Sequence, residues 1–243
     1  MSRFLKRSLV STDIESMFNL QPMSADNEFH FTCDHCGQCC RGHDQTVPLE
    51  PIDVFHLSRY KKQSGNDVWT AVDILNRYAT PALLSESGYP MFFINTRGPD
   101  GICIFHEEGK CLIHDAKPRT CRMYPMTVDP DAGGKGYMYY LMPERKHHFT
   151  GTAHRAGDWI KNSLTPEDYE YSQAAVEALT RIAPLMERNY AVGIVSEVHT
   201  SLLAYYLYQN YDIDKPFVPQ FKQNAADVLL ALDYLYNKKM TKG

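Results

Sequence analysis

The chain has 243 residues, 44% of them hydrophobic and 22% charged, with a formal net charge of −4. That is long enough to bury a core without disulfide staples and ordinary for a globular protein. The negative balance argues against a nucleic-acid partner, which usually meets a basic stripe. No segment approaches the roughly 18 consecutive apolar residues of a membrane span, and Met1–Val10 lacks a signal-peptide core. The expectation is a cytoplasmic protein with no membrane partner, where thiols stay reduced. Its odd count of seven cysteines fits reduced ligands better than a complete disulfide set.

In chain order, residues 1–30 read as a short helical stretch followed by a loop around Pro22. Leu49–Gln63 follows as a helix, with Pro51 near its start and Ile52, Phe55, His56 and Arg59 at helical spacing. A second helix is expected after an Asn66 cap, with Val68, Val72, Leu75 and Tyr78 along one face. Pro90–Thr96 reads as a strand. Ile102–Phe105 and Cys111–His114 are short pieces split by a Glu107–Lys110 turn. Met126–Met142 reads as a hairpin turning at Asp129–Gly134. Gly133, Gly134 and Gly136 belong to that turn rather than to a phosphate loop, because strand-like residues follow them.

From about His154 the pattern is helical and has no cysteine. Thr165, Pro166, Glu167 and Asp168 combine a cap, a first-turn proline and first-turn acids, which predicts a helix to about Glu187. Two more are expected near Val192–Asn210 and Pro219–Lys238. The tyrosines of Tyr205–Tyr208 and Tyr234–Tyr236 read as packing at a core edge. The fold class is α+β and helix-rich. A β-hairpin and loop region over 1–153 carries a cysteine metal site, and a helical region over 154–243 follows, either as a second unit or continuous with it in one domain.

The chemistry lies in the cysteines. Cys33-x-x-Cys36 lets two thiolates grip one ion while the backbone turns around the sulfurs. Cys36-x-x-Cys39 repeats the spacing, as in the C-x2-C-x2-C run of bacterial iron–sulfur proteins. Cys39 and Cys40 are adjacent, so they serve either one polynuclear cluster or two neighbouring sites. Cys103, Cys111 and Cys121 form a dispersed second group. Four protein ligands close a structural site, whereas three leave a position for water or substrate. The candidate metal ligands are therefore Cys33, Cys36, Cys39, Cys40, Cys103, Cys111 and Cys121. Arg119 and Arg122 flank Cys121 and are the candidate cofactor-binding cations, placed to hydrogen-bond sulfur or a bound anion. The other reading of them is a solvated basic loop. Tyr124–Pro125 is expected to pack beneath the site.

Cys36-Gly37-Gln38-Cys39-Cys40, Cys103-Ile104-Phe105, Cys111-Leu112-Ile113-His114 and Lys117-Pro118-Arg119-Thr120-Cys121-Arg122-Met123-Tyr124-Pro125 together resemble the YkgJ-type cysteine-cluster family. The family is described as zinc- or iron-chelating and is often labelled iron–sulfur containing. In this region it is similar to flagellin lysine-N-methylases. The resemblance runs from about Cys33 to Pro125, with a weak extension to Trp159. The run of three cysteines at two-residue gaps and the seven thiols favour an iron–sulfur cluster, with zinc as the alternative cofactor. The chain departs from the family pattern at His114, where tyrosine is usual, and at Lys117, where arginine is usual. His147-His148-Phe149-Thr150-Gly151 stands where many members carry Cys-Pro-Gly. One thiolate of the family set is thus missing, and His114 and His148 are its candidate replacements.

Two functions follow as expectations. One is a metal-dependent enzyme, such as an iron–sulfur methyltransferase or oxidoreductase acting on a protein or small molecule. The other is a non-catalytic structural-zinc or metal-handling module.

Overall fold

Glu50, Pro51 and Asp53 start the first helix, α1 (Pro51–Ser64): the proline takes an early helical position and the two acids cap each other's backbone N–H groups. The computed structural model describes residues 20–241, apart from 34–35, 43–45, 66–68, 131–135 and 144–145. Thr70 and Asp73 make a second reciprocal cap, for α2 (Ala71–Tyr78). The expected cap at Asn66 and the apolar Val68 lie outside the described residues. With the start at Thr70, the inward stripe is Ala71, Ile74, Leu75 and Tyr78, an i, i+3, i+4, i+7 set. Val72 is one step off that stripe and is exposed.

Small antiparallel sheets fill the middle of the chain. β3 (Pro48–Leu49), β5 (Pro90–Ile94) and β4 (Ala79–Leu83) form one sheet in that order. Pro81 sits on the edge strand β4, where a missing N–H is tolerated. β6 (Thr96–Arg97) pairs with β7 (Ile102–Cys103), and β8 (His106–Glu107) pairs with β9 (Lys110–Cys111). Glu108 and Gly109 both take positive φ, the two-residue turn that matches strand twist. The expected hairpin is present as β10 (Met126–Pro130) and β11 (Tyr137–Leu141), while its tip, including Gly133 and Gly134, lies outside the described residues. The loop expected around Pro22 is instead a strand: β1 (Gln21–Met23) adds to β11 at the sheet edge, with Pro22 opposite Tyr140. β2 (Glu28–His30) pairs with β12 (Ala153–Arg155), a long-range pairing with no local signal.

The later helices are α3 (Arg119–Met123), α4 (Ala156–Ser163), α5 (Pro166–Ala191), α6 (Ser196–Leu203) and α7 (Phe217–Met240). α5 begins at the Thr165–Asp168 capping box, as expected, and runs beyond Glu187. The helix expected over Val192–Asn210 starts only at Ser196 and passes into a π-helical turn over Ala204–Gln209. No described helix is long and apolar enough to cross a membrane.

The main buried cluster draws on both sides of residue 153. Leu49, Ile52, Phe55 and Ile74 pack with Ile182, Met186, Phe217, Phe221 and Leu232. The Phe55 and Phe217 rings lie 5.0 Å apart between centroids. A second cluster joins Phe29, Phe31, Met123, Met126, Leu141 and Ile160. The Trp159 indole N–H donates to the Met123 carbonyl at 2.8 Å and ties α4 to α3.

Between these clusters α3 is held by a buried ionic network. The Arg119 backbone N–H donates to Asp53 Oδ1 at 2.9 Å, and its guanidinium donates to Glu50 and to Ser172 Oγ at 2.6 Å. Arg122 grips Asp168 with two bonds of 2.9 and 2.8 Å and donates a third to the Ser163 carbonyl. Asp168 has no exposed surface. Burial by itself raises its pKa, but the hydrogen bonds from Arg122 and Thr165 outweigh that and hold the carboxyl below its usual value. Asp53 is pushed the other way, up to about 7, by burial and by the adjacent Glu50 charge, against the pull of Arg119.

Two outcomes are expected. Phe217→Ala removes a fully buried ring and should cost about 3–5 kcal/mol. Thermal melting followed both by thiol exposure and by helix content should show one transition, and two separated transitions would contradict a shared core. Asp168→Asn leaves two arginines without their buried partner and should cost about 3–5 kcal/mol at neutral pH. The gap between wild type and this variant should narrow below about pH 3.9. A depressed carboxyl stabilises the fold above its unfolded pKa and loses that contribution as pH falls through its folded value. Urea unfolding across the pH range measures both effects.

Candidate metal centre

Gly37 precedes the 3-10 turn Gln38–Cys40 and takes φ 68°, the left-handed region that glycine enters at no cost. A side chain there would also collide with His106, since a Cβ would lie 2.4 Å from its Nε2. This tight bend separates Cys36 from Cys39 and Cys40. The β6–β7 pairing places Cys103, the β8–β9 hairpin places Cys111 across from His106, and α3 presents Cys121. Cys103, Cys111 and Cys121 all pack against the main core.

Five thiols from these segments act on one another. Cys40 is pushed far above its ordinary value by a hydrogen bond with Cys39, by burial, and by the charges of Cys39, Cys103 and Cys111. Burial is the first cause at Cys121, and Cys103, Cys111, Asp53 and Cys39 add to it. Cys103 is raised by burial and by Cys111 and Cys39, and Cys111 by burial and by Cys39. Several thiolates cannot share such a half-buried space without a cation, because each disfavours the charge of the next. Bound metal removes that conflict, since thiolate is the ligand form. The donor set therefore fits a soft metal centre.

Cys36 lies with two histidines. Its Sγ is 3.0 Å from His148 Nε2 and 3.5 Å from His147 Nε2, and the three donor atoms lie within 4.8 Å of one another. In a tetrahedral zinc site, sulfur and nitrogen donors stand about 3.5 Å apart, so this group also fits a metal. His148 is buried, with its Nδ1 2.9 Å from the Tyr124 hydroxyl, which turns Nε2 toward Cys36. Phe31 and Tyr124 meet the His148 ring edge-on.

Set against the expected site, the cysteines do not divide as four and three. Cys39 and Cys40 act on the thiols of the dispersed group, while Cys36 meets histidine. Cys33 is exposed, and the intervening Asp34 and His35 lie outside the described residues. Of the two histidines expected to replace a thiolate, His148 stands beside Cys36, whereas His114 is exposed in a 3-10 turn over His114–Ala116. Tyr124 packs at the site, as expected, and orients His148. Arg119 and Arg122 differ from expectation: their hydrogen bonds run to Glu50, Ser172, Asp168, Ser163 and Lys117 rather than to sulfur. Deep in the protein, a guanidinium binds the carboxylate that can neutralise it.

Two residues were missed. His147 could have been suspected from its place beside His148, where the Cys-Pro-Gly element is absent. His106 is 6% exposed, and its Nε2 has no hydrogen-bond partner among the described residues. It faces the bend at Gly37, a juxtaposition with no signal in the linear chain.

No curated protein and no solved structure matches the chain. A family described as "CxxCxxCC: Putative zinc- or iron-chelating domain" matches residues 32–153. That stretch includes all seven cysteines and both histidines beside Cys36, and it makes up half of the chain. The protein therefore belongs to this metal-chelating CxxCxxCC family.

Proposed function

We propose that the protein carries an iron–sulfur cluster on a centre built from Cys39, Cys40, Cys103, Cys111 and Cys121. The reading rests on the placement of these five thiols: Cys103, Cys111 and Cys121 pack against the same core, and Cys39 and Cys40, on the turn after Gly37, lie close enough to disfavour one another's and the others' charged forms. A set made only of thiolates is one that iron–sulfur clusters use, and five thiols exceed the four that a closed zinc site takes. When bound, the cluster supplies electron transfer or an acidic coordination position. The protein's part is to hold the sulfurs on four segments and to shield those of Cys103, Cys111 and Cys121 against the main core. An odd number of cysteines, seven, suits reduced metal ligands and a reducing compartment, so we assign the protein to the cytoplasm.

Two versions of the function compete. The enzymatic version, methyl transfer or redox chemistry, rests on the similarity to flagellin lysine-N-methylases. A cleft of about 230 Å³ is lined by Tyr137, Tyr139, Tyr169, Ser172, Gln173 and Val176. Those residues include none of the metal donors, so the cleft gives that version no substrate pocket at the centre. The non-catalytic version makes the metal an organiser of the loop-rich half. The mixed sulfur–nitrogen donors at Cys36 favour zinc in that role.

Anaerobic purification with iron, zinc and acid-labile sulfide analysis decides the cofactor. Iron and sulfide in equal amounts, with a brown colour that reductant bleaches, are expected. Zinc alone in a colourless protein would transfer the centre to the alternative, and a folded protein devoid of metal would overturn both. Cys121→Ser and Cys103→Ser should each remove most of the iron and sulfide. Gly37→Ala should do so too, because its side chain would displace His106 and force the Cys36–Cys39 bend out of its left-handed turn.

A further inference from the structure

We propose that Cys36, His147 and His148 bind a divalent ion of their own, with Cys33 as the fourth ligand. The result is a mononuclear Cys2His2 site distinct in chemistry from the five-thiol centre. The inference rests on metal chelation by this chain but is independent of which metal the five thiols hold.

Four observations carry it. The Sγ and two Nε2 atoms already stand at separations near those of tetrahedral zinc ligands. His148 is held from behind: its Nδ1 pairs with the Tyr124 hydroxyl, leaving Nε2 as the donor toward Cys36. A ligating histidine fixed through its other ring nitrogen is the usual outer support of a metal site. The chain before Cys33 is fastened to the histidine segment, because the Thr32 N–H donates to the His148 carbonyl at 3.2 Å. The Phe31 N–H likewise donates to the Thr152 carbonyl at 3.0 Å, and the Thr152 N–H donates to Thr32 Oγ1 at 3.3 Å. Finally, Cys33-x-x-Cys36 has the spacing by which two thiolates grip one ion.

The donor chemistry separates the two centres. Two imidazoles with thiolate suit zinc, whereas five thiols, one more than a closed zinc site takes, suit an iron–sulfur cluster. A closed site of this type is structural. It clamps the segment leading into the cysteine bend against residues 147–152, beside the second core cluster that Phe31 and Tyr124 join.

The test uses the full chain carrying its native metals, titrated with cobalt(II) after mild chelation. Cobalt in a sulfur–nitrogen tetrahedron gives intense visible d–d bands and a thiolate charge-transfer band. Wild type should bind one equivalent with this signature while its iron and sulfide content is unchanged. Cys36→Ser and the exposed His147→Ala should each weaken that binding by at least about tenfold, again with iron and sulfide unchanged. Tyr124→Phe should weaken it by about tenfold by freeing the His148 ring. Cys33→Ser should remove one thiolate's share of the charge-transfer intensity, and unchanged intensity would overturn its role as fourth ligand. If Cys36→Ser and His147→Ala bind cobalt like wild type, the site does not exist, whatever the five thiols hold. If Cys36→Ser strips the iron and sulfide, Cys36 belongs to the thiol centre and the inference fails. Loss of iron and sulfide from Cys103→Ser and Cys121→Ser, with the cobalt site intact, would support two separate centres.

Discussion

A single carboxylate, Asp168, has no surface in contact with water, and its burial constrains everything around it. A charge in that position persists only when matched by cations and hydrogen bonds. Arg122 supplies two bonds, Thr165 caps it from its own helix, and Arg119 Nε stands 3.5 Å away. Both arginines lie on α3, the short helix that carries Cys121. Residues three apart on a helix share a face, while the residue two after the first points nearly the opposite way. Fixing Arg119 and Arg122 against α5 and the start of α1 therefore turns Cys121 toward the other thiols. The basic residues around the cysteine do not neutralise its sulfur directly; they aim it.

The same economy of anchoring holds for the other donors. Cys103 and Cys111 sit on two-residue ladders too short to be stable alone. Their rigidity comes from packing on the main core, which the C-terminal helices complete. Phe217, Phe221 and Leu232, which carry no chemistry, thus help to set the geometry of the thiols. Gly37 contributes in a different way, through a backbone conformation and an absent Cβ that let the chain reverse beside His106. At His148 the support is polar. The Tyr124 hydroxyl holds one ring nitrogen, so the other has a single useful direction.

Much of this was legible in the linear chain wherever the determinant is local. The Thr165–Asp168 cap and the Pro51 start predicted two helices, because first-turn hydrogen bonds are made by residues three apart. The β10–β11 hairpin was legible from its turn residues. The strand at Pro22 was not, since its partner Tyr140 lies far along the chain and proline discourages the assignment. The start of α2 was misplaced at Asn66 because a good capping residue is common, whereas the stripe Ala71, Ile74, Leu75 and Tyr78 is decided by what it packs against. Arg119 and Arg122 looked available to a cofactor because sequence shows charges near a cysteine but not the buried acids that engage them.

The sequence by itself determined that this is a cysteine-cluster metal-chelating chain, because ligand identity and spacing are covalent properties that survive in any view of the chain. The Thr165–Asp168 capping box is of the same kind. Only the tertiary structure decided how the donors are grouped: Cys39 and Cys40 with the distant Cys103, Cys111 and Cys121, and Cys36 with His147 and His148. Grouping depends on which segments the buried Asp168 network and the two apolar clusters bring together. Those contacts span most of the chain, and no local pattern encodes them.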